Sequence, residues 1–184
     1  MAAVILAAGL GRRFGGPKAA ARLRGRTLLE RLVQLAQDRG LDPVIAVVPE
    51  RVDVPGGVAR VVNPEPQLGL STSLRLGIGA VPVDHAALVL LVDQPTLSRA
   101  TIDAVRAGRG THPIVAAEAD GRLGPPALLE PEAFAVVETI SGDIGLREVF
   151  GRHPDLVHPV PVAGHPPDVD TPDDLARLEA RLGP

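Results

Sequence analysis

Residues 1–18 read Met1-Ala2-Ala3-Val4-Ile5-Leu6-Ala7-Ala8-Gly9-Leu10-Gly11-Arg12-Arg13-Phe14-Gly15-Gly16-Pro17-Lys18, and the junction inside this stretch decides the fold. Met1–Ala8 is apolar without alternation, which predicts a strand covered on both faces, as in a parallel sheet. It runs directly into four glycines interleaved with Arg12, Arg13 and Lys18. Glycines let backbone N–H groups approach an anion closely, and the three side chains supply positive charge to it. A P-loop would need Gly-Lys-Ser/Thr entering a helix; here Pro17 precedes Lys18 and Ala19 follows. A dinucleotide fingerprint would need its glycines to open a helix at once. Gly15, Gly16, Pro17 and Gly25 break any helix before Thr27.

Outward from this junction, short apolar runs alternate with helical patterns. Thr27–Gly40 carries a Thr27/Glu30 capping box, an apolar face of Leu28, Leu32, Leu35 and Ala36, and Gly40 as its stop. Val44–Val48 and Val58–Val62 read as strands, Ser71–Val81 as a helix capped by Ser71, and Ala86–Val92 as a second strand buried on both faces. Ser98–Ala107 is a helix capped by Ser98, and Ile114–Ala117 a strand with Ala127–Leu129 as a candidate neighbour. Pro131–Val137 and Asp143–Phe150 read as short helices, Leu156–Val162 as a strand, and Thr171–Leu182 as a helix with Pro172 in its first turn. This rhythm predicts an α/β fold with a mainly parallel sheet. The stretch Ala127–Val162 departs from it and is expected to be an insertion covering the site.

The composition narrows the function. The chain has 184 residues, 19 basic against 22 acidic, and a net charge of −3, which gives no support for nucleic-acid binding. It has no Cys, Trp or Tyr and three Phe, so thiol chemistry is excluded and the core must be aliphatic. No apolar run is long enough for a membrane span. The first one has its arginines after it, the reverse of a signal peptide, so a cytoplasmic protein is expected.

Ligands of open α/β sheets lie beyond the carboxyl ends of the strands. There Asp93-Gln94-Pro95 follows the apolar run Ala86–Val92, and Asp93 is a candidate metal or catalytic residue. Asp168 and Asp170 stand two apart in an extended stretch and share a side, so one of them can join Asp93 on an ion such as Mg²⁺. Asn63-Pro64 and Gly69-Leu70-Ser71-Thr72-Ser73 offer an amide, hydroxyls and a helix start to an anion or a ribose. Gly142-Asp143-Ile144-Gly145-Leu146-Arg147 opens another helix with Arg147 one turn in. The five histidines lack zinc spacing; only His165, near Asp168, is retained as a candidate. No nucleophile elbow is present.

Taken together and in order, these blocks resemble the MobA-like nucleotidyltransferases, most closely the molybdenum cofactor cytidylyltransferase group. Leu6–Gly15 with Lys18 is similar to that family's opening loop, Asn63-Pro64 with Gly69–Leu74 to its second block, and Val92–Pro95 to its metal-binding turn. Gly142–Arg147 and Asp168–Pro172 are similar to its last two. The resemblance implies a single Rossmann-like domain over residues 1–184, with a mainly parallel sheet flanked by helices. It implies Mg²⁺-dependent transfer of CMP from CTP to the phosphate of molybdopterin, with pyrophosphate released. It puts the nucleotide against Leu6, Ala7, Ala8, Gly9, Gly11, Arg12, Arg13, Lys18, Asn63, Gly69, Ser71 and Ser73. Arg13, Lys18 and Asp93 are the implied catalytic residues, Asp93 and Asp170 the metal ligands, and Gly142, Asp143, Arg147 and His165 the acceptor side. A transient contact with a molybdoenzyme or its chaperone is implied as well.

Ala8 stands where guanylyl-transferring relatives tend to carry a second glycine, which favours CTP over GTP. Pro125 stands where a Gly-His-Pro turn would place its His. Three alternatives stay open at this point: a guanylyltransferase acting on molybdopterin or a phospho-acid, a non-catalytic binding protein of the same fold, and a nicotinamide-dependent oxidoreductase.

Overall fold

The computed structural model describes residues 1–183. Its elements, in chain order, are β1 (Ala2–Leu6), β2 (Arg22–Leu23), β3 (Arg26–Thr27), α1 (Leu28–Asp38), β4 (Val44–Val48), β5 (Ala59–Val62) and α2 (Leu70–Gly79). There follow β6 (Ala87–Leu91), α3 (Arg99–Ala107), β7 (Ile114–Ala119), β8 (Arg122–Leu129), α4 (Phe134–Glu138), α5 (Leu146–Arg152), β9 (Val157–Pro161) and α6 (Pro172–Arg181). A seven-stranded sheet in the order β5-β4-β1-β6-β8-β7-β9 forms the centre of a single α/β domain, and β2 and β3 make a separate small hairpin. Strand β8 is antiparallel to both its neighbours, and the other pairings within the large sheet are parallel.

The unbroken apolar strands are explained by helices on both faces. Along β1 and just beyond it, Ala3, Ile5 and Ala7 join the core under α1 and α3, while Ala2, Val4 and Leu6 join the core under α2, α4 and α5. Gly77 of α2 is not merely tolerated. A Cβ on Gly77 would lie 2.5 Å from Val4 Cγ1, so this residue lets α2 sit directly on the sheet.

Caps follow the sequence pattern in three helices. Thr27 and Glu30 form the expected capping box of α1, Ser98 caps α3, and Thr171 with Asp174 caps α6. Two expectations are corrected. Ser71 is not a cap: α2 starts one residue earlier, with Gly69 at the N-cap position at φ 103°. Nor is Ala127–Val162 an insertion over the site, because it carries part of β8 and all of β9, both in the main sheet. The strand around Pro125-Pro126 is hidden by residues that donate no backbone N–H. The ladder accommodates them at an irregularity, passing from Ala116↔Ala127 to Ala117↔Gly124.

Candidate active site

Strand β1 hydrogen-bonds β4 on one side and β6 on the other. The chain returns to the far side of β1 only after β5, which makes the β1/β6 edge the point where the strand order reverses. A cleft of about 310 Å³ lies at the carboxyl ends of these two strands. The loop Ala8–Arg13 forms one wall, Leu70 and Ser73 of α2 another, and Lys18, Asp93 and Asp170 converge in it.

The loop holds its shape through Gly11. The Gly11 carbonyl accepts from the backbone N–H of Phe14, Gly15 and Gly16. Gly11 has φ +55°, and a Cβ there would meet Gly16 O at 1.9 Å. Only glycine fits. No α-helix begins before Leu28, although Lys18–Ala20 forms one 3₁₀ turn, in agreement with the rejection of a dinucleotide fingerprint.

Four charged side chains meet beyond this loop. Lys18 Nζ lies 2.6 Å from Asp170 Oδ1 and 3.3 Å from Asp93 Oδ2, and Arg13 Nη2 lies 2.8 Å from Asp170 Oδ2. The two acids are registered through the backbone, since Val169 N donates to Asp93 O at 2.8 Å. Burial pushes the Asp93 carboxyl above its ordinary value; Lys18 opposes this, while Asp168 and Asp170 reinforce it. Asp170 moves the other way, held down chiefly by the hydrogen bond from Lys18 and by the charges of Lys18 and Arg13.

The pair fits a divalent cation on two observations. A positive group already sits between the carboxylates, and Asp93 Oδ1 is buried with no hydrogen-bond partner. A buried acceptor without a partner costs about 1–3 kcal/mol, which a ligand would offset. Among the described residues no set of three or more acids or histidines is grouped for a metal, so water and substrate would complete the coordination.

The remaining candidates divide into walls and supports. Leu6, Gly9 and Arg12 line the cleft alongside Ala8. Ala7 instead continues the sheet, donating to Val47 O, and is buried. Asn63 is buried and donates through Nδ2 to Ser73 Oγ at 2.9 Å, which holds the Ser73 wall. Ser71 is fully buried, with its hydroxyl donating to Gly142 O at 2.8 Å; it is a tie between two loops and does not line the cleft.

A second hollow of about 190 Å³ continues past Leu6, Leu70 and Leu91. Asp143, Arg147 and Pro125 line it with Leu74, Leu146, Glu148 and Asp168. Arg147 has no ion-pair partner among the described residues. Gly142 reaches the region through its backbone, against Gly69. His165 stays outside the lining: its Nε2 lies 2.9 Å from Arg122 O, and its ring packs over Gly124 opposite Arg147.

Sequence reasoning missed Gln94, which is buried and donates to Asp168 Oδ1 at 3.0 Å. The placement of Gln94 between Asp93 and Pro95 was the available signal. Of the two acids named together from the sequence, Asp170 lines the cleft and Asp168 lines the second hollow. The apolar walls Leu10, Leu70, Leu91 and Val92 carried no sequence signal of their own.

This geometry is that of an α/β enzyme with its site at the sheet's switch point, and residues 3–157 match the MobA-like NTP transferase domain. The chain belongs to that family of nucleotidyltransferases. It is 32% identical to a nicotine blue oxidoreductase from Paenarthrobacter nicotinovorans over 95% of this chain and 94% of that protein. It is 33% identical to a "probable molybdenum cofactor guanylyltransferase" from Opitutus terrae over 75% of this chain and 70% of that protein. The crystal structure of Rv0371c in complex with manganese, from Mycobacterium tuberculosis H37Rv, superimposes with a TM-score of 0.81 at 27% identity, covering 97% of each chain. The acids Asp168 and Asp170 lie beyond the matched family segment, yet the fold brings Asp170 back to the cleft and Asp168 to the second hollow. No helix among the described residues is long and apolar enough to cross a membrane.

Proposed function

We propose that this protein transfers CMP from CTP to the phosphate of a molybdopterin-type acceptor and releases pyrophosphate. The observation that carries the reading is the Arg13–Lys18–Asp93–Asp170 cluster under a glycine loop, opening directly into a hollow that holds Arg147. The loop amides near Gly9 and Gly11 and the side chains of Arg12, Arg13 and Lys18 would take the triphosphate. Asp93 and Asp170 would hold Mg²⁺; the manganese complex of the mycobacterial relative supports a divalent ion. When bound, that ion neutralises charge on the α-phosphate and the departing pyrophosphate.

An oxygen of the acceptor phosphate forms the new bond to the α-phosphorus. The bond from the α-phosphorus to the bridging oxygen breaks, and pyrophosphate leaves with its electron pair. The attacking oxygen is already anionic at neutral pH, so no strong base is required. That suits a cleft whose lining contains no histidine. The protein's contribution is then position and charge: it aligns two anions and neutralises what repels them. Arg147, at the mouth of the second hollow, would hold the acceptor phosphate, with the leucine walls beside its ring system.

The name of the Opitutus relative favours a GTP-using variant of the same chemistry, whereas Ala8 favours CTP. The likeness to the nicotine blue oxidoreductase supports a second reading, reduction by a nicotinamide cofactor, although the glycine loop here does not open a helix. A thermal-shift panel separates these. CTP, GTP, ATP, UTP and NADPH are each added with Mg²⁺; a ligand at a hundred times Kd adds about 2.7 kcal/mol, a rise of about 5–11 °C for a chain of this size. A CTP-selective rise supports the proposal, a GTP-selective rise replaces the nucleotide, and a rise with NADPH alone replaces the reaction.

A further inference from the structure

Of the 19 basic residues in this chain, 18 are arginines, and the single lysine is Lys18. Its side chain lies between two carboxylates of the cleft, 2.6 Å from one and 3.3 Å from the other. The type of residue bears on what it can do there. A guanidinium is a rigid fork that pairs bidentately, whereas an ammonium is a compact point charge on a flexible stem that exchanges partners by rotation.

We infer that Lys18 is an internal counter-cation that competes with a divalent ion for Asp93 and Asp170, and that nucleotide binding draws it away, so that metal and nucleotide bind as a coupled pair. The inference rests on the reading of this cleft as a nucleotide and metal site. A divalent ion held by both acids would take the unpartnered Asp93 Oδ1 together with an Asp170 oxygen that a cation now contacts, and beside the same two carboxylates it would repel the ammonium. The Lys18 side chain is only 15% exposed and lines the same cleft as the glycine loop, so a phosphate on that loop is the alternative partner within its reach. Each ligand then removes an obstacle to the other. By linkage the two must raise each other's affinity by the same factor. Arg13 differs: it touches only Asp170, through Oδ2, and its side chain is 73% exposed, which makes it a weak competitor.

The test is titration of the full chain with Mn²⁺ alone, followed by electron paramagnetic resonance of the free ion. Wild type is compared with Lys18→Met, Lys18→Gln and Arg13→Gln, each checked by far-ultraviolet circular dichroism. Both Lys18 variants should bind Mn²⁺ about tenfold or more tighter than wild type, a factor within the usual range of coupled sites, and Arg13→Gln should change little. Folded Lys18 variants that bind Mn²⁺ no tighter than wild type overturn the inference. Because Lys18 is the only lysine, wild-type protein labelled with [¹³Cε]lysine gives a single side-chain signal, which decides the matter even if the variants do not fold. That signal should stay in place with millimolar Mg²⁺ and move when CTP is added to it. A signal that moves fully with Mg²⁺ alone contradicts the coupling. Absence of nucleotide binding would leave the Mn²⁺ comparison intact, so failure of the functional reading is seen separately.

Discussion

Gly69 and Gly142, 73 positions apart in sequence, touch backbone to backbone: a Cβ on Gly69 would lie 2.3 Å from both the carbonyl carbon and the oxygen of Gly142. The same carbonyl accepts from the Ser71 N–H and hydroxyl. The loop entering α2 and the loop entering α5 are therefore one unit, and Gly69 at φ 103° is its pivot. Gly69→Ala should destabilise the protein by about 1–3 kcal/mol, the usual cost of such backbone strain. Calorimetry should show a lower Tm, with acceptor binding weakened along with nucleotide binding. A variant with unchanged Tm would show that the two loops are not tied.

Asp93 is a buried acid held at a cost. Its pKa is raised, mainly by burial. A raised carboxyl favours the fold in its neutral form, below the ordinary value of 3.8, and that benefit is lost as pH rises through the raised value. At neutral pH its charge therefore works against folding. Asp93→Asn should melt no lower than wild type at pH 7 while turnover falls by about a hundredfold or more, as when a transition-state charge contact is removed. Near-wild-type kcat would sink the assignment of Asp93.

Asp174 behaves in the opposite sense. Hydrogen bonds from Thr171, then from Arg177, hold its carboxyl well below the usual carboxylate range, and it also accepts from Asp170 N. A lowered carboxyl stabilises the fold above its ordinary value of 3.8, and the gain is lost as pH falls from there through the folded value. Asp174→Ala should therefore melt below wild type at neutral pH. The difference should stay constant down to about pH 4 and shrink below it. Melting curves from pH 7 to pH 2 check this.

Arg147 separates the two halves of the cleft. It lines the second hollow but not the first. Arg147→Ala should raise the acceptor KM by about tenfold or more, in line with the loss of a charged hydrogen bond, while the CTP-induced thermal shift is retained. Loss of both would place Arg147 on the nucleotide instead.

Much of this was legible in the residues because the signals are local. Apolar runs such as Met1–Ala8 and Ala86–Val92 announce buried strands, and Thr27/Glu30 or Thr171-Pro172 announce helix starts. Residues directly after such strands must lie at the sheet's mouth, which makes the glycine loop with Lys18 and the turn with Asp93 legible, while Asp170 is marked by its spacing of two from Asp168 and by the family resemblance. What escaped depends on contacts distant in sequence. The end of β8, Ala127–Leu129, pairs with Ile114–Ala116 as its apolar run predicts, but the strand's first part is hidden by Pro125 and Pro126, whose cost to the ladder is absorbed at an irregularity opposite Ala116 and Ala117. Ser71 has the composition of a cap, but the Gly142 carbonyl, 71 residues away, takes its hydroxyl. The tie from Gln94 to Asp168 likewise has no periodicity to betray it.

The most direct measurement of the proposed reaction is label transfer. The protein is incubated with Mg²⁺, CTP labelled at the α-phosphate and a molybdopterin-type acceptor, and the labelled product and free pyrophosphate are both counted. The account predicts equal amounts of the two, CTP preferred over GTP, and neither product with Asp93→Asn. Oxidation of NADPH by the wild-type protein, with no label transferred and no pyrophosphate released from any nucleoside triphosphate, would contradict it.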